Sequence, residues 1–295
     1  MLSRFRPARQ WRRLKGLFIS RRNLWILLAA LLAIHHLLTL LSQGGREGAL
    51  NSLLAWGGAM VILVDQPMGW RPRPTMFGMV AGAALVVALL WHSFLASTLD
   101  VSSLLLPVVA GVALALLAVP VQKIVSFLPV LMILALPSLM GLLTSFIPTR
   151  ELSLFTARIT QVVLLLGNLP AEVRGNVVSL PEGAVEIAGS CSGVDMVVQL
   201  IGVGLIFALA FPMRHRWQNV VMVLAAPLLA ILANAFRIAL LACINSSSMP
   251  NKDWWFSFFH LMRGSWIFSL IAVLGFILIY GYWMEWQIAK LTRLQ

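Results

Sequence analysis

The sequence predicts an all-α integral membrane protein, a polytopic bundle of about eight transmembrane helices, on three observations. Hydrophobic residues make up 60% of the 295 positions and charged residues only 11%. Successive apolar stretches of roughly 17–25 residues are each long enough to cross a hydrocarbon core of ~30 Å. The ~10-residue segments of alternating polarity that mark an outer-membrane barrel are absent. No separate soluble domain is expected.

The net charge of +12 invites a nucleic-acid reading, but its placement argues against one. Eight of the 22 basic residues lie in the first 22 positions: Arg4, Arg6, Arg9, Arg12, Arg13, Lys15, Arg21 and Arg22. A basic block just before an apolar span is the positive-inside signal, with anionic lipid as its partner. The apolar segment behind it, about 24–41, exceeds the ~7–15 residues of a secretory h-region, and no small-residue cleavage site follows. It is read as an uncleaved first span after a basic cytoplasmic segment, 1–23.

Five spans fill the N-terminal region, 24–146, at about 24–41, 49–64, 76–97, 102–119 and 125–146. Arg71 and Arg73 mark the loop after the second as cytoplasmic, Asp100 follows the third outside, and Lys123 precedes the fifth inside. Pro129 and Pro137 in span five are expected to kink it, since membrane helices tolerate proline. The stretch 147–190 does not plainly span. Its first part, 151–166, carries Arg158 and Gln161 on an apolar background and reads as a helix lying in the outer interface. Its second part has two short β-prone runs around Pro181-Glu182-Gly183-Ala184, which reads as a hairpin.

Three more spans, about 192–212, 218–244 and 262–284, form a region at 191–286, and a cytoplasmic tail occupies 287–295. This topology puts fifteen basic residues inside and six outside, with Arg237 inside a span. Both termini are then cytoplasmic. If 151–166 crossed instead, Arg214 and Arg216 would face outward.

The same topology brings three chemically capable residues to the outer surface: Cys191 at the start of span six, Arg237 two turns before the end of span seven, and His260 at the start of span eight. Ser192-Gly193-Val194-Asp195 reads as a capping box, which would set Cys191 beside unsatisfied backbone N–H groups whose positive end favours a thiolate. Gly193 leaves room for another backbone to approach. An arginine inside a span costs at least ~2.5–3.5 kcal/mol on insertion scales, so Arg237 is expected to face a cavity or partner, with snorkelling as the bland alternative. Asn234, three residues earlier, shares its helical face and can orient it. His260 is a candidate acid/base for a thiol, and Gly264, one turn on, lets a neighbouring helix or peptide come close.

Other residues take structural readings. Cys243 lies on a different face of span seven from Arg237; with Cys191 it permits one disulfide and no framework. His35, His36 and His92 sit in apolar spans, His215 in a cytoplasmic loop. Gly202 and Gly204 read as helix packing. No Cys/His spacing indicates zinc.

Three segments carry a family resemblance. Val185-Glu186-Ile187-Ala188-Gly189-Ser190-Cys191-Ser192-Gly193 resembles the Cys-Ser-Gly motif of the exosortase/archaeosortase family. Asn234-Ala235-Phe236-Arg237-Ile238 resembles its Asn-x-x-Arg motif, and His260-Leu261-Met262-Arg263-Gly264 its His-x-x-x-Gly. The resemblance covers about 185–280; the N-terminal half matches only in being multi-span. It implies a membrane-embedded cysteine transpeptidase of PEP-CTERM-type sorting systems, in the bacterial inner membrane with its active site at the periplasmic face. Its substrates would be membrane-bound proteins carrying a C-terminal motif such as Pro-Glu-Pro, a transmembrane helix and a basic cluster. Cys191 would be the nucleophile forming a thioester, His260 the general acid/base, and Arg237 would stabilise the oxyanion or hold an acidic side chain of the motif. Neither metal nor organic cofactor is implied. Three other readings remain: a transporter using the intramembrane Arg237, a membrane assembly or structural subunit in which the cysteine is inert, and an intramembrane hydrolase using the same three residues with water as acceptor.

Overall fold

The computed structural model describes residues 21–42, 46–64, 73–95, 101–260 and 262–292. Most of the basic N-terminal block, the loop containing Arg71, Asp100 and the final tail residues lie outside the described residues. The chain forms two compact units, Met1–Ser138 and Leu139–Gln295. Among the described residues five helices are long and apolar enough to cross a membrane, and three shorter apolar helices, Gly48–Leu63, Leu105–Ala118 and Val194–Ala210, fall where three further spans are expected. An all-α membrane protein is the result.

In the first unit α1 (Arg21–Ser42), α2 (Arg46–Val64), α3 (Met76–Leu95) and α4 (Val101–Ala118) lead through a 3-10 segment, Val121–Phe127, into α5 (Leu128–Leu143). Lipid provides no hydrophobic force between helices, so close backbone approach and polar contacts hold them together. Gly78 and Gly82 of α3 supply the approach: a Cβ at either would collide with Leu116 O or with Leu117 and Ala113 of α4. Trp25 supplies a polar contact, donating its indole N–H to Leu114 O at 2.8 Å. Pro129 sits in the first turn of α5, where an intrahelical N–H partner is missing anyway. Pro137 lies inside the helix, and the apolar run Val121–Phe146 continues past both prolines.

The second unit holds α6 (Thr149–Leu166), strands β1 (Glu172–Arg174), β2 (Val177–Leu180) and β3 (Gly183–Glu186), a 3-10 turn Gly189–Cys191, then α7 (Val194–Ala210), α8 (Arg216–Asn245), α9 (Lys252–His260) and α10 (Met262–Thr292). The expected hairpin is present as β2 and β3, with Val178 opposite Val185. A third strand, β1, not expected from the sequence, pairs antiparallel with β2 through a turn at Gly175, whose φ of 64° favours a glycine. α6 is amphipathic: Ser153, Thr156, Ala157, Thr160 and Leu164 recur at helical spacing and form its buried face, which packs on α8. Arg158 is on its exposed side.

One local expectation needs correction. No capping box forms at Ser192. Gly193 itself caps α7 with φ 91°, and the Ser192 hydroxyl turns back to donate to Gly189 O at 2.7 Å, because the 3-10 turn ending at Cys191 presents that carbonyl first. His260 is the last residue of α9, a nine-residue helix rich in aromatics, and α10 begins at Met262, where the last span is expected to start.

Candidate active site

Cys191 ends the 3-10 turn that connects the sheet to α7, and its residue is only 2% exposed. The sheet anchors this turn. Ile187 N–H donates to Asn176 O at 2.9 Å while Asn176 Nδ2 donates to Ile187 O at 3.1 Å. Cys191 N–H then closes onto Ala188 O at 2.8 Å. From the other side α6 reaches in, with Thr156 Oγ1 donating to Ser192 O at 3.1 Å.

α8 contributes Asn234 and Arg237, both buried and one turn apart. Asn234 Nδ2 donates to Cys191 O at 2.9 Å, and its Oδ1 accepts from Arg237 at 3.4 Å. The space beside Gly193 is filled by this asparagine: a Cβ at 193 would stand 2.6 Å from Asn234 Nδ2. The room expected there for a neighbouring backbone is thus taken by a side chain.

Arg237 does not snorkel. Its Nε donates to Phe259 O at 3.1 Å and a terminal nitrogen to His260 O at 2.9 Å, the last carbonyls of α9. Helix C-termini leave such carbonyls without intrahelical partners and carry partial negative charge, so a guanidinium fork is a fitting cap. The capped residue is His260, whose Nδ1 lies 3.6 Å from Cys191 Sγ. Its ring stacks on Phe256, centroids 5.3 Å apart, which fixes the imidazole plane.

Burial, and secondarily the Arg237 charge, hold His260 below the usual histidine pKa. Both disfavour the imidazolium, so the ring is neutral at pH 7 and has a lone pair for a thiol proton. Gly264 explains the tight join between α9 and α10: a Cβ there would run into the backbone of Phe258 and Phe259. The close neighbour is the preceding helix of the same chain.

Cys191, Asn234, Arg237 and His260 therefore meet, and Gly193 and Gly264 permit the contacts. Cys243 is a free thiol packed at the rim of the same apolar cluster. His35, His36 and His92 lie in the other unit, and Gly202 and Gly204 pack against Met140 and against Val223, Ala226 and Phe276. Among the described residues no three His, Cys, Asp or Glu side chains form a metal-ligand set. Reading the sequence missed Thr156, whose only signal is the hydroxyl spacing Ser153, Thr156, Thr160.

The family model of the transmembrane exosortases matches residues 46–277. The chain belongs to that family. No curated protein and no solved structure matches the chain. The match takes in every residue of the candidate site described above, and it extends the resemblance, confined at sequence level to about 185–280, through four of the five N-terminal spans.

Proposed function

We propose that this exosortase is a membrane cysteine transpeptidase that cleaves the C-terminal sorting tail of exported membrane proteins and transfers the product to an acceptor. The observation that carries the reading is the 3.6 Å approach of Cys191 Sγ to His260 Nδ1. Nucleophile and base within reach, with the base oriented by a third group, is the general pattern of thiol catalysis.

In the proposed reaction neutral His260 takes the thiol proton as Cys191 Sγ attacks the scissile carbonyl carbon. The C–S bond forms, and the carbonyl oxygen becomes an oxyanion. Collapse of this intermediate breaks the C–N bond, and His260 hands its proton to the departing amine. The N-terminal product remains as a thioester on Cys191. An acceptor amine or hydroxyl, losing its proton to His260, displaces the thiolate; water in its place would give hydrolysis. Arg237 acts first as a positioning residue through the end of α9, and its charge, held beside His260, stabilises the oxyanion or an acidic side chain of the sorting motif. The site would face the periplasm from the inner membrane, with both chain termini in the cytoplasm.

Co-expression with a protein bearing a Pro-Glu-Pro-type tail tests the reading. Size and terminal mass of that protein are followed with intact enzyme and with Cys191→Ala, Arg237→Ala and His260→Ala. Processing that all three substitutions abolish at unchanged membrane levels is expected, and a mass increment would reveal the acceptor. Processing indifferent to Cys191 would refute it.

A further inference from the structure

The first unit contains an apolar cavity of about 250 Å³ that the catalytic reading does not use. Its walls come from the first half of α1 (Trp25 to Ala33), the end of α2 (Trp56 to Leu63), the later turns of α4 (Gly111, Leu114), the end of the 3-10 segment (Phe127) and the start of α5 (Val130, Leu134). These element ends therefore lie together at one end of the unit, the end that the positive-inside bias assigns to the cytoplasm. Trp25, Ala59, Leu114 and Leu134 are buried in the floor, while Ala30, Gly57 and Met60 are exposed at its mouth. The cavity thus opens between α1 and α2. Small residues along both helices make the opening, since each lacks the side chain that would close it.

The same end carries exposed cations close to the cavity. Arg22 precedes Trp25 by one turn of α1. Arg73 N–H donates to Ala118 O at 2.9 Å, one turn beyond Leu114. Lys123 precedes Phe127 by four residues in the 3-10 segment. The described residues at this end include no carboxylate.

We propose that this groove binds one anionic phospholipid of the inner leaflet. An acyl chain would enter between α1 and α2, and the headgroup phosphate would face Arg22, Arg73 and Lys123. Within a bilayer an apolar groove gains by packing rather than by escape from water. The selectivity must then come from the headgroup, and a basic residue near an anionic surface contributes about fivefold in affinity. This site stands or falls independently of the catalytic mechanism.

The test is native mass spectrometry of the full-length, delipidated protein with palmitoyl-oleoyl phosphatidylglycerol or phosphatidylcholine added. Phosphatidylglycerol is expected to bind at least tenfold more tightly than phosphatidylcholine. The combined variant Arg22→Gln, Arg73→Gln, Lys123→Gln should erase that preference. A Cβ at Gly57 meets nothing within 4 Å, so Gly57→Leu should plug the groove and lower retention of both lipids several-fold. Ala30→Leu at the opposite lip serves if the first plug fails to fold. Equal binding of the two lipids, or phosphatidylglycerol binding unchanged by plug and charge variants alike, would overturn the proposal. Loss of lipid in favour of a two-chain species would assign the groove to self-association instead.

Discussion

Replacing Arg237 by lysine keeps the charge and removes the fork. In the native site the guanidinium donates to Asn234 Oδ1, Phe259 O and His260 O from three nitrogens. An ammonium on a flexible stem cannot serve three acceptors in that planar arrangement. Arg237 is buried, so little solvent screening discounts the loss. With one or two charge-assisted bonds forfeited at about 1.5–3 kcal/mol each, a destabilisation of about 1.5–6 kcal/mol is expected. The end of α9 is then no longer pinned, and a displacement of His260 on the order of 1 Å lowers turnover roughly 10²-fold. Turnover should fall far more than KM rises. The pH profile separates the two duties of the residue. Neutral His260 is the working form, and burial first and Arg237 second keep it neutral to lower pH than an ordinary histidine. Activity is therefore full at pH 7 and falls only as pH drops through the lowered pKa. Arg237→Lys should leave that acid limb in place, whereas Arg237→Gln should move it to higher pH, towards but not beyond about 6.5, because burial remains. The assay is the initial rate of tail cleavage in proteoliposomes across pH 5–8. A fully active lysine variant, or an acid limb that Arg237→Gln does not move, would refute the reasoning.

Other outcomes follow from the same geometry. Gly193→Ala forces a side chain into φ 91° against the Asn234 amide, and should lower stability by about 1–3 kcal/mol, read as a lower unfolding temperature in detergent, with activity lost in parallel. Gly264→Ala would drive a methyl into the backbone of Phe258 and Phe259; cleavage rate should drop sharply, since the displaced helix carries His260. Thr156→Val removes the bond to Ser192 O and should cost about 1 kcal/mol in the same unfolding assay, with cleavage changed only a few-fold. His260 also contributes to stability with a definite sign. Its folded pKa is below its unfolded value, so the unfolded chain binds the extra proton and native stability declines as pH falls from about 6.5 through the lowered value. His260→Gln should flatten that part of the stability–pH curve.

The helices were legible because lipid imposes a length and composition that local sequence cannot hide. Cys191, Arg237 and His260 were legible as out-of-place polar groups in an apolar chain. Their mutual arrangement was not. That Arg237 reaches the last two carbonyls of α9 depends on how that helix lies against α8, and the aromatic run from Trp254 to Phe259 reads equally well as the start of a long span. The misread capping box has a similar origin. Ser-x-x-Asp is a local pattern, but the carbonyl that captures the Ser192 hydroxyl comes from a 3-10 turn set up by the sheet upstream. β1 was missed because three residues, Glu172, Val173 and Arg174, carry no usable alternation. Thr156 acts on a loop 36 residues away, which no periodicity reveals.

The most direct test of Cys191 as the nucleophile is the intact mass of the enzyme after acid quenching during turnover of a tail-bearing substrate. An adduct equal to the N-terminal product less one water, located on the peptide containing Cys191 and released by hydroxylamine, is the expected result, with none formed by Cys191→Ala. Product appearing with no adduct on Cys191, and equally from Cys191→Ala, would contradict it.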